Sequence, residues 1–277
     1  MSAKVDLHSH STASDGALTP RQLVERAQAQ GVTHLALTDH DTVAGLEQAS
    51  ATARELGMTL LPGIELSVTW QAHCLHLVGL GIDPDHPALR AGIARLHDIR
   101  QQRARKIADK LVKLGFPDLF DEVLLCAGDG MITRTHFARR LYYRGCVRDL
   151  QSAFDCYLAQ GKPAYVSVEW ASLQEALAWI IGSGGVAVLA HPMRYTLTAS
   201  KMRQFLTAFK SLGGAGIEVV AGRHNPGDID SAAQFARQFA LVASVGSDFH
   251  APDNPWIELG RLAPLPPGLT PAWHAWL

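Results

Sequence analysis

Cysteine is scarce in this sequence and never paired: Cys74, Cys126, Cys146 and Cys156 lie far apart, with no C-x-x-C spacing. That argues against a zinc ribbon and against a disulfide framework, and the four are expected to be free thiols, mostly in the core. Charge of one sign is also missing. Lys+Arg 25 against Asp+Glu 26 gives a formal net charge of -1, so nothing global advertises nucleic acid, an anionic membrane or an acidic partner. Any polyanion site must be local. No window holds 18 uninterrupted apolar residues, and the chain enters a strand-like run by Val5 without an apolar leader. Neither membrane spanning nor secretion is expected, and the chain reads as cytoplasmic. Ser67, Ser244 and Ser247 lack a G-x-S-x-G elbow, and the GSGG at residues 182–185 is followed by no G-K-[ST], so it reads as a helix-ending turn.

What is present is a rhythm. The chain has 277 residues with 47% hydrophobic content, enough to bury a large core. Strand-length apolar runs alternate with helix-period segments: KVDLH, PRQLVERAQAQ, HLALT, GLEQASATARELG and TLLPGIEL in the first part. In the last part come LQEALAWIIGSGG, VAVLAHP, SKMRQFLTAFKSLGG, GIEVV, DIDSAAQFARQFA and LVASVGSD. Alternating β and α elements imply a parallel sheet, doubly wound or closed into a barrel. Residues 90–160 differ, being rich in Arg, Lys, Leu and Ala at helical spacing. They read as an inserted helical subdomain for substrate recognition, flanked by barrel segments 1–89 and 161–277. The Pro-rich LAPLPPGLTPAWHAWL ends the chain on aromatics expected to pack.

Thirteen histidines are the compositional oddity, and their positions carry the argument. In VDLHSHSTASDG, His8 and His10 are two apart, so on an extended strand both imidazoles point to one side. His40 follows HLALT, Glu65 follows LLPGI, His191 follows VAVLA, and Asp248 with His250 follows LVASVG. A barrel brings all such strand ends to one mouth, whereas a doubly wound sheet would leave some far apart. With Asp15 and with His76 of CLHLVGLG, six histidines, two aspartates and a glutamate form one candidate constellation. Each residue alone is as readily a cap or a core polar group; together, after successive strands, they are not. Mn, Zn and Fe all take imidazole and carboxylate ligands, and nine donors are too many for one ion, so two or three are expected. Metals about 3.5 to 4 Å apart activate a shared water and clamp phosphoryl oxygens, which is the chemistry of phosphate-ester hydrolysis. Asp39 and Asp41 of TDHDT read as groups supporting the ligands or capping a helix.

The segments DLHSHSTASDG, LTDHDT, PGIELS, HLVGLG, AHP and GSDFHAP resemble the successive metal-binding motifs of the PHP family, named for polymerase and histidinol phosphatase. Its members are metal-dependent phosphoesterases on a distorted (β/α)7 barrel, and the likeness runs from Val5 to Pro252. Within the family, the insert with TRTHFARRLY, then HPMRY, GIEVV and GSDFHAP, is similar to the nucleoside 3',5'-bisphosphate phosphatases and 5'-3' exoribonucleases. The resemblance implies His8, His10, Glu65 and Asp248 on one ion, Glu65, His76 and His191 on a second, and Asp15, His40 and His250 on a third. Manganese is the expected metal, with zinc or iron as alternatives. His8, His10, Glu65, His191, Asp248 and His250 are the residues expected to carry catalysis.

A phosphate-bearing substrate needs fixed cations beyond the metals. Arg134 and His136 open a helix in ITRTHFARR, Arg194 follows His191 closely, and His224 follows GIEVV; these four are the candidate substrate-binding residues. Arg100, Arg103, Arg105, Lys106 and Lys110 read as a solvated helix face, with tracking of RNA as the lesser alternative. The expected substrate is a nucleotide such as adenosine 3',5'-bisphosphate, giving AMP, or short 5'-phosphorylated RNA; no stable protein partner is implied. The competing readings are a histidinol-phosphatase-like phosphomonoesterase and a non-catalytic metal-bound module.

Overall fold

The computed structural model describes residues 3–276. Eight strands are present among the described residues: β1 (Val5–Asp6), β2 (His34–Leu37), β3 (Thr59–Trp70), β4 (His73–Leu80), β5 (Ala171–Ser172), β6 (Val186–Leu189), β7 (Gly216–Ala221) and β8 (Val242–Gly246). Their order is β1-β2-β3-β4-β6-β7-β8, with β5 pairing the far end of β3. The sheet nearly closes. Leu7 N–H donates to Val245 O at 3.0 Å, Asp248 N–H to His8 O at 2.8 Å, and His10 N–H to Phe249 O at 2.9 Å, joining the continuation of β1 to that of β8. A seven-strand barrel-like sheet ringed by helices is therefore present, as the β/α rhythm predicts.

It is not wholly parallel. β4 runs antiparallel to both β3 and β6. The cause is the turn between β3 and β4, where Gln71 and Ala72 both have positive φ, 44° and 64°. Two successive left-handed residues make a tight hairpin, and a hairpin reverses the chain.

The outer helices are α1 (Pro20–Ala29), α2 (Leu46–Glu55), α7 (Leu173–Gly182), α8 (Ala199–Ser211) and α9 (Pro226–Gln238). Several begin at side-chain caps: Thr19, Ser172, Thr198 and Asn225 each accept a hydrogen bond from the first turn. Between β4 and β5 lie α3 (Pro87–Lys113), α4 (Phe120–Ala127), α5 (Arg134–Tyr143) and α6 (Leu150–Ala153), with no strand among them. They enclose a second apolar core of Ile107, Leu111, Val123, Phe137, Leu141 and Leu158. α3 belongs to both cores. Its Leu89 and Leu96 pack with the barrel, and its Ala104, Ile107 and Leu111 with the helices, so the helix passes from one apolar core to the other. Trp273 and Trp276 pack against the barrel core, as the closing aromatics suggest.

The four cysteines are free, but the expectation that they are mostly core is wrong. Cys74 and Cys156 are exposed, and Cys126 and Cys146 are half-buried. No helix is long and apolar enough to cross a membrane among the described residues.

Candidate metal centre

The nine predicted ligands converge. His8 and His10 stand beyond β1 in extended chain, pinned beside the segment bearing Asp248 and His250 by a bridge between Ser9 and Phe249. Another bridge joins His40 to Glu65 of β3, and Ala190 N–H donates to His76 O, setting His191 next to β4. His76 is thus placed by the antiparallel strand itself and not by a strand end.

Glu65, fully buried, is the hub. Its Oε1 lies 3.3 Å from His8 Nε2, 3.0 Å from His76 Nδ1 and 3.0 Å from His191 Nε2, and its Oε2 lies 2.7 Å from His40 Nδ1 and 3.5 Å from His10 Nε2. Asp248 Oδ1 is 3.1 Å from His10 Nε2 and 3.5 Å from both His8 Nε2 and His250 Nδ1. Asp15 Oδ1 is 3.4 Å from His250 Nε2 and 3.9 Å from His40 Nε2. Three subsets bring their donor atoms within 4.8 Å of one another: His10, Asp15, His40 and His250; His8, His10 and Glu65; and His40, Glu65 and His76. His10 and His40 each fall in two subsets, so the donors interlock more than three separate sets would.

Whether these residues suit metal ions is decided by their unused valences. His8 Nε2, both ring nitrogens of His10, His40 Nδ1, His191 Nδ1, Asp15 Oδ1 and Glu65 Oε2 are buried without a hydrogen-bond partner. Buried polar atoms are costly to leave unpaired, and His8 Nε2, His10 Nε2, His40 Nδ1, Asp15 Oδ1 and Glu65 Oε2 among them face one another in the cluster, which fits a cation. Protonation divides the histidines: against burial, Glu65 pushes His76 up to about 10, and Asp15 and Asp248 push His250 up to about 9, so those imidazoles must give up a proton to bind an ion. Glu65 and Asp248 are held well below the usual carboxylate range despite burial, by surrounding histidines and, for Asp248, first by Arg194. His10 is pushed down to about 3 by burial and by His250 and His40, leaving the neutral imidazole a ligand needs. The donor set fits divalent ions of the imidazole-and-carboxylate type.

A residue that the sequence reading missed completes the support. Glu218 of β7 has its Oε1 2.7 Å from His8 Nδ1, and its Oε2 accepts the His191 backbone N–H at 2.5 Å. The available signal was a lone charge in the apolar run GIEVV. Asp39 accepts from the Ser11 N–H and from the Ser11 and Ser14 hydroxyls, and burial raises its pKa to about 6. Asp41 accepts from the Ser67 N–H at 2.6 Å and pairs with Arg100. Both brace the site; neither caps α2, whose N-cap is Gly45. Three of these positions also hold strained backbone: Asp41, His191 and Asp248 have φ of 52°, 30° and 53°.

Two cavities adjoin the cluster. The inner, about 270 Å³, is lined by Asp15, His40 and His76 on one side and by Arg100, Arg103 and Arg134 on another. The outer, about 830 Å³, includes Asp248, His250 and Arg194. Arg100 and Arg103 are 6% and 8% exposed, which overturns the solvated-face reading for the inner side of α3. The insert folds over them, while Arg105 pairs with Asp109 and Asp118 in solvent, as that reading holds.

The four candidate substrate residues separate. Arg134 lines the inner cavity and Arg194 the outer, where it pairs with Asp248. His136 is buried, and its Nδ1 accepts from the Thr133 N–H in the capping box that starts α5, so it lines neither cavity. His224 is half-buried, 3.2 Å from Val219 O through Nδ1, and lines neither as well.

A barrel mouth carrying this donor cluster defines a class, and comparison with known proteins names it. The PHP domain matches residues 6–211, and the chain belongs to the PHP family. A 3',5'-nucleoside bisphosphate phosphatase of Chromobacterium violaceum is 46% identical over 273 residues, covering 98% of this chain and 96% of that protein. A 5'-3' exoribonuclease of Haemophilus influenzae is 44% identical over 274 residues, covering 99% of each. Among solved structures, an amidohydrolase from Chromobacterium violaceum with bound sulfate and no metal superposes with a TM-score of 0.94. It is 45% identical, over 99% of this chain and 95% of that one.

Proposed function

We propose that this chain is a metal-dependent phosphoesterase that hydrolyses the 3'-phosphate ester of nucleoside 3',5'-bisphosphates, giving 5'-mononucleotides such as AMP. It also removes 5'-mononucleotides from 5'-phosphorylated RNA. The relatives named for these two activities support the reading, and they are one reaction. Each breaks the bond between phosphorus and the 3'-oxygen of a nucleotide whose 5'-phosphate is held elsewhere.

The observation that carries it is a pair of guanidinium groups with no carboxylate, Arg103 buried and Arg134 half-buried. Arg103 donates to Val166 O and Arg134 to Leu158 O, both neutral carbonyls, and neither makes an ion pair among the described residues. Burial and the neighbouring Arg134 and Arg100 push Arg103 down to about 10, so it stays charged at neutral pH in a place that disfavours charge. An anion between these groups relieves that penalty. The Tyr165 ring lies 5.7 and 5.6 Å from the two guanidinium carbons, within cation–π reach of both. The inner cavity therefore takes the 5'-phosphate, with the nucleotide's 3' side toward the ligand cluster.

Two to three ions, manganese foremost, would be held by the cluster, by His8, His10, Glu65 and Asp248 at its centre, His76 and His191 on one flank, and Asp15, His40 and His250 on the other. When bound, the metals supply an activated water and charge stabilisation on the phosphoryl oxygens. The chain's own groups do the rest. Arg103 and Arg134 anchor the distant phosphate, and that binding energy orients the 3'-ester over the cluster. Thr135, which donates through its hydroxyl to Asp15 Oδ2 at 2.9 Å and lines both cavities, holds Asp15 at their junction.

The test sets four substrates side by side on the manganese-loaded protein: adenosine 3',5'-bisphosphate, adenosine 3'-monophosphate, a 5'-phosphorylated RNA and histidinol phosphate. The first and third are expected to be turned over well and the second poorly. Equal rates on the first two would place the anion socket elsewhere, and preference for histidinol phosphate would support a small-molecule phosphatase instead.

A further inference from the structure

The proposed function uses the inner cavity; the outer one is about three times as large and has no role in it. It starts at the reacting centre, because Asp248 and His250 line it, and it meets the inner cavity at Thr135. Farther out it is lined by Tyr142 and Tyr143 at the end of α5 and by Arg139 and Arg223. The two tyrosines are 46% and 71% exposed, and their rings, 5.9 Å apart and tilted by 49°, offer two separate faces for stacking, with the Arg140 guanidinium 5.7 Å from the Tyr143 ring. Arg223 is exposed and makes no ion pair or side-chain hydrogen bond among the described residues. Arg139 donates to the Asp15 and Gly16 carbonyls, which leaves its charge uncompensated.

The reaction says what must lie there. Water adds to phosphorus, the bond from phosphorus to the 3'-oxygen breaks, and that oxygen takes a proton. The 5'-mononucleotide stays in the inner cavity, and the phosphoryl group leaves on the other side. From a bisphosphate it leaves as inorganic phosphate; from RNA it remains joined to the rest of the chain, which becomes a new 5'-phosphorylated end. Everything downstream of the scissile phosphate must therefore occupy the opposite side of the cluster.

We propose that the outer cavity binds the first nucleotides downstream of the scissile phosphate in single-stranded RNA. Tyr142 and Tyr143 form the stacking platform, and Arg139 and Arg223 meet the phosphates. This rests on the reading above and selects RNA as a substrate for which the protein carries a dedicated surface. Exposed rings next to free guanidinium groups suit unpaired bases on a phosphate backbone, and stacking on them is indifferent to sequence. Asp149 and Asp253 also line the cavity, so stacking rather than net charge dominates, and the salt dependence is modest.

The experiment uses the metal-loaded full chain on adenosine 3',5'-bisphosphate and on 5'-phosphorylated single-stranded oligoribonucleotides of increasing length. In the wild type, kcat/KM rises with length over the first few nucleotides and then levels. The double change Tyr142→Ala with Tyr143→Ala should lower kcat/KM on the longer oligomers by about 5- to 100-fold, the loss expected from removing a stacking surface, and flatten the length dependence. Arg223→Ala should act in the same direction more weakly, and Tyr143→Phe, which keeps the ring, should behave as wild type. Bisphosphate hydrolysis reports folding and metal loading, and should stay close to the wild-type rate in all of them. Anisotropy of a labelled oligomer on the metal-free protein should weaken in parallel. Variants that lose no more on long RNA than on the bisphosphate overturn the groove and leave the phosphatase reading standing. A wild type that turns over neither substrate overturns both.

Discussion

His8 gives its Nδ1 hydrogen to Glu218 Oε1 across 2.7 Å, between residues 210 apart in sequence, and so turns its Nε2 toward Glu65 and Asp248. A carboxylate only accepts, so it fixes which ring nitrogen carries the hydrogen. A ligand imidazole oriented in this way is both better placed and more basic.

Glu218→Gln is therefore expected to keep the fold but weaken metal binding by about 10- to 100-fold, because the amide no longer selects the tautomer. Competition with a graded chelator reads this directly. Unchanged affinity in a folded Gln variant would make Glu218 a packing residue alone.

Glu65 touches five imidazoles, whereas His76 touches Glu65 alone among the carboxylates of the cluster. Glu65→Ala should accordingly strip more metal and more activity than His76→Ala. Elemental analysis after manganese or zinc reconstitution should find two to three ions in the wild type, fewer in His76→Ala and fewest in Glu65→Ala. Comparable content in the two variants would argue against a shared ligand.

Much of this centre was legible because polar residues interrupt apolar runs: a histidine or acid ending HLALT, VAVLA or LVASVG has no packing reason to be there. Glu218 breaks the apolar run GIEVV in the same way. The antiparallel β4 was hidden, since its hairpin turns on Gln71 and Ala72 without the Asn or Gly that usually marks such a turn. Arg100 and Arg103 were misread for a different reason. Their i, i+3 spacing places them on one helix face, yet whether that face meets water depends on how the insert folds over it. His136 reads as an anion contact because it opens a helix, and it does serve the helix N-terminus, as the partner of the N-cap Thr133 in its capping box.

Gly92 gives a test of how α3 joins the barrel. A Cβ there would lie 2.5 Å from the Trp179 ring of α7. Alanine is favoured over glycine by about 0.8 to 1 kcal/mol in a helix interior, so propensity alone predicts stabilisation by Gly92→Ala. The clash is with a large ring held in a packed layer, and overpacking costs roughly 1 to 3 kcal/mol. Net destabilisation is expected, read as a lower midpoint in denaturant with little change in slope. A raised midpoint would mean that Trp179 moves freely.

Arg134 and His136 stand two residues apart on α5 and should fail in different ways. Arg134→Ala removes a charge-assisted contact to the 5'-phosphate, so kcat/KM for adenosine 3',5'-bisphosphate should fall by about 10- to 1,000-fold, the equivalent of roughly 1.5 to 4 kcal/mol. Metal content should not change, and slow hydrolysis of adenosine 3'-monophosphate, which lacks that phosphate, should hardly respond. Arg103→Ala should follow the same pattern, because its guanidinium lines the same cavity and is likewise uncompensated. His136→Ala removes the reciprocal half of a capping box, which costs about 0.5 to 2 kcal/mol of stability, and it touches neither cavity. It should lower the denaturation midpoint while leaving the preference for bisphosphate over monophosphate intact. If His136→Ala abolishes that preference in a folded protein, the imidazole reaches the substrate after all, and the anion socket extends to the start of α5.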